Sequence, residues 1–227
     1  MTPQKRALQP TRKGKQEKKM EQISMSRELL RKALHLMLLL VPIAFCNLGK
    51  WPSLVIFSLL TLAIVAPDYA RRRNSKINSI FVKIFGLILR PHELNGDKLC
   101  GASWVGLAAC LNFLIFKKEI AVTGFTIMVI SDAAASIIGR HFPSKPFFEK
   151  SLLGAYGFAA SGLIILISCG LIFHSHAWFY IFGLFALFCV TMFESRPSLL
   201  RIDDNFTIPI GFSLIMTFFD LVWNYAY

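Results

Sequence analysis

Seven long stretches of the chain carry very little charge, and no other property narrows its possible folds so far. They cover 33–49, 51–69, 99–116, 119–138, 152–173, 177–193 and 206–226, each 17 to 22 residues long. As helices, at about 1.5 Å rise per residue, they reach roughly 25 to 33 Å, which matches a hydrocarbon core of about 30 Å. Inside lipid every backbone N–H and C=O must find a partner within the chain, so uninterrupted apolar runs of this length predict helices and not barrel strands. Composition agrees. With 55% hydrophobic residues, 17% charged residues and 21 Phe, the chain resembles neither a soluble domain nor a disordered polyampholyte. The expected fold is an all-α integral membrane protein, a bundle of about seven transmembrane helices forming one domain over 25–227, preceded by a basic tail over 1–24.

The net charge of +12 does not point to nucleic acid, because the basic residues are interrupted by the apolar runs and form no continuous face. They do orient the chain. With a cytoplasmic N-terminus, 22 of the 25 Lys and Arg fall on one side, and only Lys50, Lys117 and Lys118 fall on the other. Positively charged loops stay cytoplasmic. The tail, with Lys5, Arg6, Arg12, Lys13, Lys15, Lys18 and Lys19, reads as a solvated arm attracted to anionic lipid. No small-residue cleavage pattern follows the first apolar run, so it does not read as a removed signal peptide. Residues 77–89 are apolar but short and carry Lys83, which suits a helix at the membrane surface or a re-entrant segment. The reading suits a multi-pass protein of a bacterial inner membrane, the endoplasmic reticulum or another organelle membrane.

The chemistry concentrates where ionisable residues meet the cytoplasmic ends of these helices. Glu28, Arg31, Lys32 and His35 share one helical face at the start of the first span. Arg90, His92 and Glu93 lie in a loop with Pro91, Asn95 and Gly96 just before the third. At the end of the fourth, Asp132, Ser136, Gly139 and Arg140 fall on one face. A carboxylate there costs about 2.5 to 3.5 kcal/mol at the bilayer centre unless it is paired. Lys150, Ser151 and Gly154 begin the fifth, where backbone N–H groups, the helix dipole and a lysine make an anion site. Glu194 ends the sixth, and Asp203, Asp204 and Asn205 open the seventh. Adjacent carboxylates repel unless they hold a cation, and oxygen ligands beside phosphates suit Mg²⁺. Asp220, His174 and His176 belong to the other face. The five cysteines never approach CxxC spacing and read as small core residues. No GxxxxGK[ST] or GxGxxG occurs, so a nucleotide would not bind through a Walker or Rossmann loop. Cations for phosphate and carboxylates for metal in a lipid-embedded frame point to phosphoryl chemistry on a membrane-soluble substrate.

These residues carry a resemblance. ELLRKALH, RPHELNG, SDAAASIIGRHFPSKPFFEKSLLGA, and ESRP followed by DDNFTIPIG resemble the CTP-dependent lipid kinases, a family that includes dolichol, phytol and diacylglycerol kinases, with more distant similarity to phosphatidate cytidylyltransferase. The resemblance covers about residues 26 to 215. It departs at HFPSKPFF, where relatives often carry a Gly-rich loop. It implies transfer of the γ-phosphoryl group of CTP to the hydroxyl of a lipid alcohol, such as diacylglycerol or a polyprenol or phytol-like alcohol. The expected roles are triphosphate binding for Arg31, Lys32, Arg140 and Lys150, with Gly139, Ser151 and Gly154 nearby, and Mg²⁺ binding for Asp203, Asp204 and Glu93. Asp132 either binds metal or accepts the hydroxyl proton; His35 joins it in the catalytic set, and Arg90, Glu194 and Asn205 border the site. Two other readings fit the residues: a cytidylyltransferase attacking the α-phosphorus of CTP, and a transporter or scaffold whose charges only orient the chain.

Overall fold

The computed structural model describes residues 25–87, 89–90, 93–196 and 202–226. The expected basic tail, and Pro91 and His92 of the loop, lie outside them. The first apolar run is a bent rod: α1 (Met25–Leu36) passes through a 3₁₀ turn (Met37–Leu39) into α2 (Leu40–Leu48). Pro42 accounts for the tightening, since it has no N–H to return to the Leu38 carbonyl. Gly49, at φ 81°, reverses the chain into α3 (Lys50–Arg71), a left-handed backbone position that favours glycine. Residues 77–85 of the short apolar stretch lie in a separate helix, α4 (Ser75–Phe85), capped by the Asn74 side chain on the Lys76 and Ile77 N–H groups. At 11 residues it is too short to span.

The third run is shorter than expected. It forms α5 (Gly101–Ile115), because Phe116 is extended and α6 (Lys118–His141) begins directly after Lys117. A two-stranded hairpin absent from the sequence reading follows, β1 (Pro146–Phe147) paired antiparallel with β2 (Lys150–Ser151). Helices α7 (Leu152–Ile172), α8 (Ala177–Ser195) and α9 (Asp204–Ala226) complete the bundle. Six helical segments, with the rod counted as one, are long and apolar enough to cross a membrane, and α5 is a shorter apolar helix. The chain is thus an all-α membrane-type bundle.

Helix α6 is the axis, packing against the rod, α5, α7 and α9. Its apolar window is 72% buried, against 17% for the rod and 28% for α3. Apolar side chains gain nothing by leaving lipid for one another, so association relies on close packing and on polar contacts. Both are present. The Phe113 ring meets Phe45, Phe125 and Phe57 at 4.5, 5.4 and 5.7 Å. Ser213 donates to Asn112 at 2.7 Å and Asn112 donates to the Ala121 carbonyl at 2.8 Å, tying α9, α5 and α6 together mid-bundle. Consecutive helices run antiparallel, so the start of the rod, the ends of α3, α6 and α8, and the starts of α5, α7 and α9 meet at one end. At the other end Lys117 pairs with Asp220 at 2.7 Å, and His174 and His176 lie in the turn between α7 and α8. Among the described residues no cysteine is in a disulfide.

Candidate functional site

The one carboxylate embedded in α6 finds its partners on α1. Lys32 Nζ donates to Asp132 Oδ2 at 2.5 Å and to the Asp132 carbonyl at 3.3 Å, and His35 Nε2 lies 3.8 Å from the same carboxylate oxygen. Lys32 and His35 are three residues apart and therefore share the face that α1 turns to α6. Both Lys32 and Asp132 are buried, so each supplies the countercharge that makes the other tolerable in an apolar surrounding. Arg31 is half-buried on the same turn as Lys32, and Arg140 is exposed two turns beyond Asp132.

A second set of charges joins the loop before α5 to the starts of β2 and α9 and the end of α8. Arg90 donates to Asp203 at 2.9 Å and to Asp204 at 3.4 Å. Lys150 donates to Glu194 at 2.5 Å and to Asp204 at 3.5 Å. Asp204 thus bridges two cations. Both sets lie at the same end of the bundle, which gathers polar residues spread over the whole sequence. Asn205 holds Asp203 through its backbone and side-chain N–H groups, at 3.0 and 2.6 Å.

Among the described residues the ion pairs of the patch set Lys32, Arg90 and Lys150, three cations, against Asp132, Asp203, Asp204 and Glu194, four carboxylates. The imbalance shows on Asp203. Burial raises its pKa, Arg90 lowers it and Asp204 raises it again, leaving it pushed up to about 6. Burial pulls the Arg90 guanidinium down, but Asp204 and Asp203 more than offset this and hold its pKa above the ordinary arginine value. Lys150 is likewise pulled down by burial and held above its ordinary value by Asp204 and Glu194.

The structure changes how several expected site residues are read. Glu93 offers little to a metal: its two carboxylate oxygens accept the Arg90 and Gly101 N–H groups, at 2.7 and 2.8 Å. Among the described residues no group of three His, Cys, Asp or Glu is placed to hold a metal ion. A Mg²⁺ here would take one or two protein carboxylates and complete its shell with water and phosphate, which is its usual habit. The excess carboxylate charge beside Asp203 and Asp204 suits that arrangement.

The open N–H groups expected at the start of α7 are already used. Leu152 N–H donates to the Lys145 carbonyl at 2.9 Å, Leu153 N–H to Ser144 Oγ at 3.2 Å and Gly154 N–H to Ser151 Oγ at 3.1 Å. The anion site read from the sequence thus reduces to the Lys150 ammonium, because the proline-flanked loop folds back and caps the helix itself. Gly139 and Gly154 mark the closest approach of α6 and α7: a Cβ on Gly139 would stand 2.5 Å from Ser151 Oγ and 3.4 Å from the Gly154 Cα.

One charged cluster was missed. Asp68 and Arg71, at the end of α3, pair at 2.6 Å with both side chains fully buried. Asp68 also accepts the Cys100 N–H and the Ser103 hydroxyl, at 2.8 and 2.6 Å. Arg71 donates to the Glu93 carbonyl at 2.7 Å, and its guanidinium lies 4.5 Å from the Phe81 ring centre. Read along the chain, Arg71 is simply the first of three arginines in a basic flank. The available signal was Asp68, an acid within an apolar run with an arginine one turn on.

Known proteins supply remote relatives. The chain is 27% identical over 198 residues to an uncharacterized protein of Rickettsia prowazekii, covering 86% of this chain and 96% of that one. It is 25% identical over 190 residues to CTP-dependent diacylglycerol kinase 1 of Saccharomyces cerevisiae, covering 73% of this chain and 62% of the kinase. It is also 25% identical over 173 residues to CTP-dependent diacylglycerol kinase 1 of Eremothecium gossypii, covering 66% of this chain and 53% of that kinase. The chain therefore spans less than two thirds of the length of either kinase. No protein-family model and no solved structure matches. These findings amount to a distant relation to the diacylglycerol kinases.

Proposed function

We propose that the protein is a membrane lipid kinase that transfers the γ-phosphoryl group of CTP to the hydroxyl of a lipid alcohol, with the site at the cytoplasmic face. The observation that supports it best is the buried patch itself: cations and carboxylates from four helices, one strand and the loops before α5 and α9 meet where the bundle begins to be apolar. Phosphoryl transfer asks a protein mainly to position the reactants and neutralise charge. Arg90 and Lys150, with Arg31, Lys32 and Arg140 around them, would hold the triphosphate. Mg²⁺, held by Asp203 and Asp204 with phosphate oxygens and water, would neutralise triphosphate charge.

Asp132 sits more than two turns inside the end of α6, the helix that meets the poorly buried rod. There it would orient the lipid hydroxyl and accept its proton, while Lys32 keeps the carboxylate ionised and His35 stands ready beside it. The alcohol would enter from the leaflet, its tail remaining in hydrocarbon against the lipid-exposed Leu34, Met37 and Leu40. Purified protein supplied with CTP labelled at the α or the γ position, and a panel of diacylglycerol, polyprenol and phytol-like alcohols, tests this. Label should pass into lipid from the γ position only; passage from the α position would make the protein a cytidylyltransferase, and no passage with any alcohol would leave the scaffold reading standing.

A further inference from the structure

We propose that the tip of the β1–β2 hairpin is the platform for the nucleobase, with Phe148 as the stacking surface and Arg196 as the cation that edges it. The inference rests on the CTP-binding reading above and adds the part of the nucleotide that the charged patch leaves unaddressed. The pairing of Pro146 with Ser151 and of Phe147 with Lys150 leaves Phe148 and Glu149 as a two-residue turn. Phe148 occupies its first position at φ 52°, where such turns ordinarily take glycine, and a bulky side chain there is an outlier. Backbone strain of this kind persists where the surrounding structure imposes it, and it gathers at ligand clamps. The ring that incurs the strain is not buried by it; Phe148 remains 55% exposed.

The tip is pinned toward the charged patch. Glu149 N–H donates to the Ser195 carbonyl at 3.1 Å, fastening the turn to the end of α8 next to Glu194. The Arg196 guanidinium lies over one face of the Phe148 ring, 5.6 Å from its centre, and Phe147 packs against the ring at a tilt of 60° with centroids 4.7 Å apart. Two residues on, Lys150 reaches Glu194 and Asp204. Only Glu149 separates Phe148 from Lys150 at the turn, which keeps the ring and the phosphate-binding ammonium on one short loop. A base lying on Phe148 would leave its triphosphate leading to Lys150. Aromatic rings stack any base through its π face. The donors of Arg196 add an edge suited to the carbonyl oxygen and ring nitrogen of a pyrimidine.

The test uses the full-length protein in nanodiscs with a lipid alcohol, comparing the KM for CTP with the inhibition constant of inorganic tripolyphosphate, which has phosphates but no base. Phe148→Gly deletes the ring and suits the left-handed backbone. It is expected to raise the KM for CTP about tenfold, the effect of losing one stacked base, with the tripolyphosphate constant unchanged. Phe148→Tyr should restore the KM, and Arg196→Ala should raise it less than Phe148→Gly does.

Two results overturn the proposal. If CTP and tripolyphosphate weaken together, the hairpin only holds Lys150. Unchanged constants, with activity newly dependent on the lipid of the disc, would make the ring a bilayer anchor. If wild-type protein binds labelled CTP but transfers nothing, the kinase reading fails alone, and equilibrium binding of CTP against tripolyphosphate still measures the Phe148 contrast. Absence of CTP binding removes both.

Discussion

Two buried charge clusters stand back to back on the loop before α5, and they are built to different ends. Around Asp68 and Arg71 the charges match one to one, and both side chains are fully buried and surrounded by hydrogen-bond partners and the Phe81 ring. Around Asp132 and Asp204 the ion-paired carboxylates outnumber the ion-paired cations among the described residues, Arg90 and Lys150 stay 22% and 30% exposed, and Asp203 carries the strain of the neighbouring negative charge. The first cluster closes a joint between α3, α4 and α5. The second is left electrostatically unfinished, the condition in which a cation and a charged ligand can still bind with gain. Buried ionic groups by themselves therefore do not mark a site; mismatch and access do.

The contrast is most sharply exposed by Asp132→Asn. Turnover should fall about a thousandfold, the range for losing a positioned general base, in every molecule that folds and inserts, although Lys32, left buried without its countercharge, lowers the thermal midpoint as well. Arg71→Met should do the reverse. Leaving Asp68 buried without its cation costs about 3 to 5 kcal/mol, so the yield of folded protein and its midpoint collapse, whereas the kcat of the fraction that survives stays near wild type. Replacing both with Leu should recover much of that loss; a double variant as unstable as the single would show that the joint depends on the ion pair itself.

Asp203→Asn probes the imbalance through pH. The folded-state pKa of about 6 lies above the ordinary 3.8, so the folded protein holds this proton more tightly than the unfolded chain does. Stability consequently declines as pH rises across that window, and the ionised side chain costs stability at neutral pH. The variant, which keeps an N-cap residue at the start of α9, should melt a few degrees higher at pH 7 yet be less active. It should also lose the wild-type fall in activity below about pH 6, where Arg90 loses the nearer of its two charged partners. Gly139→Ala should have the smallest effect. Its Cβ meets Ser151 Oγ at 2.5 Å and dislodges the cap of α7 at about 1 kcal/mol, and a several-fold rise in the KM for CTP would report the shift transmitted to Lys150.

Much of the bundle was legible because lipid solvent imposes a simple rule on composition: a run must be long and apolar to span. Hence all seven runs reappear as helical segments. Boundaries were less legible where local chemistry overrides that rule, as at Pro42, where the rod tightens, and at Lys117, where α5 stops early. The gathering of Lys32, Asp132, Lys150, Asp203 and Asp204 at one end could be anticipated, since helices of alternating direction bring alternate loops together.

What each polar group does once there could not be read in this way. Periodicity placed Lys32 and His35 on one face but not against Asp132. Glu93 looked like a metal ligand and proves to serve two backbone N–H groups. The N–H groups at the start of α7 looked open and are capped by Ser144, Ser151 and the Lys145 carbonyl. Arg71 looked like a solvated flank and is sealed inside a joint. The sequence determined which runs are helices of a membrane-type bundle and which ends carry charge, because those follow from hydropathy summed over one helix at a time. Only the tertiary structure decided which charges are satisfied and which remain in excess, because a buried charge is settled by neighbours within a few ångströms that come from distant parts of the chain.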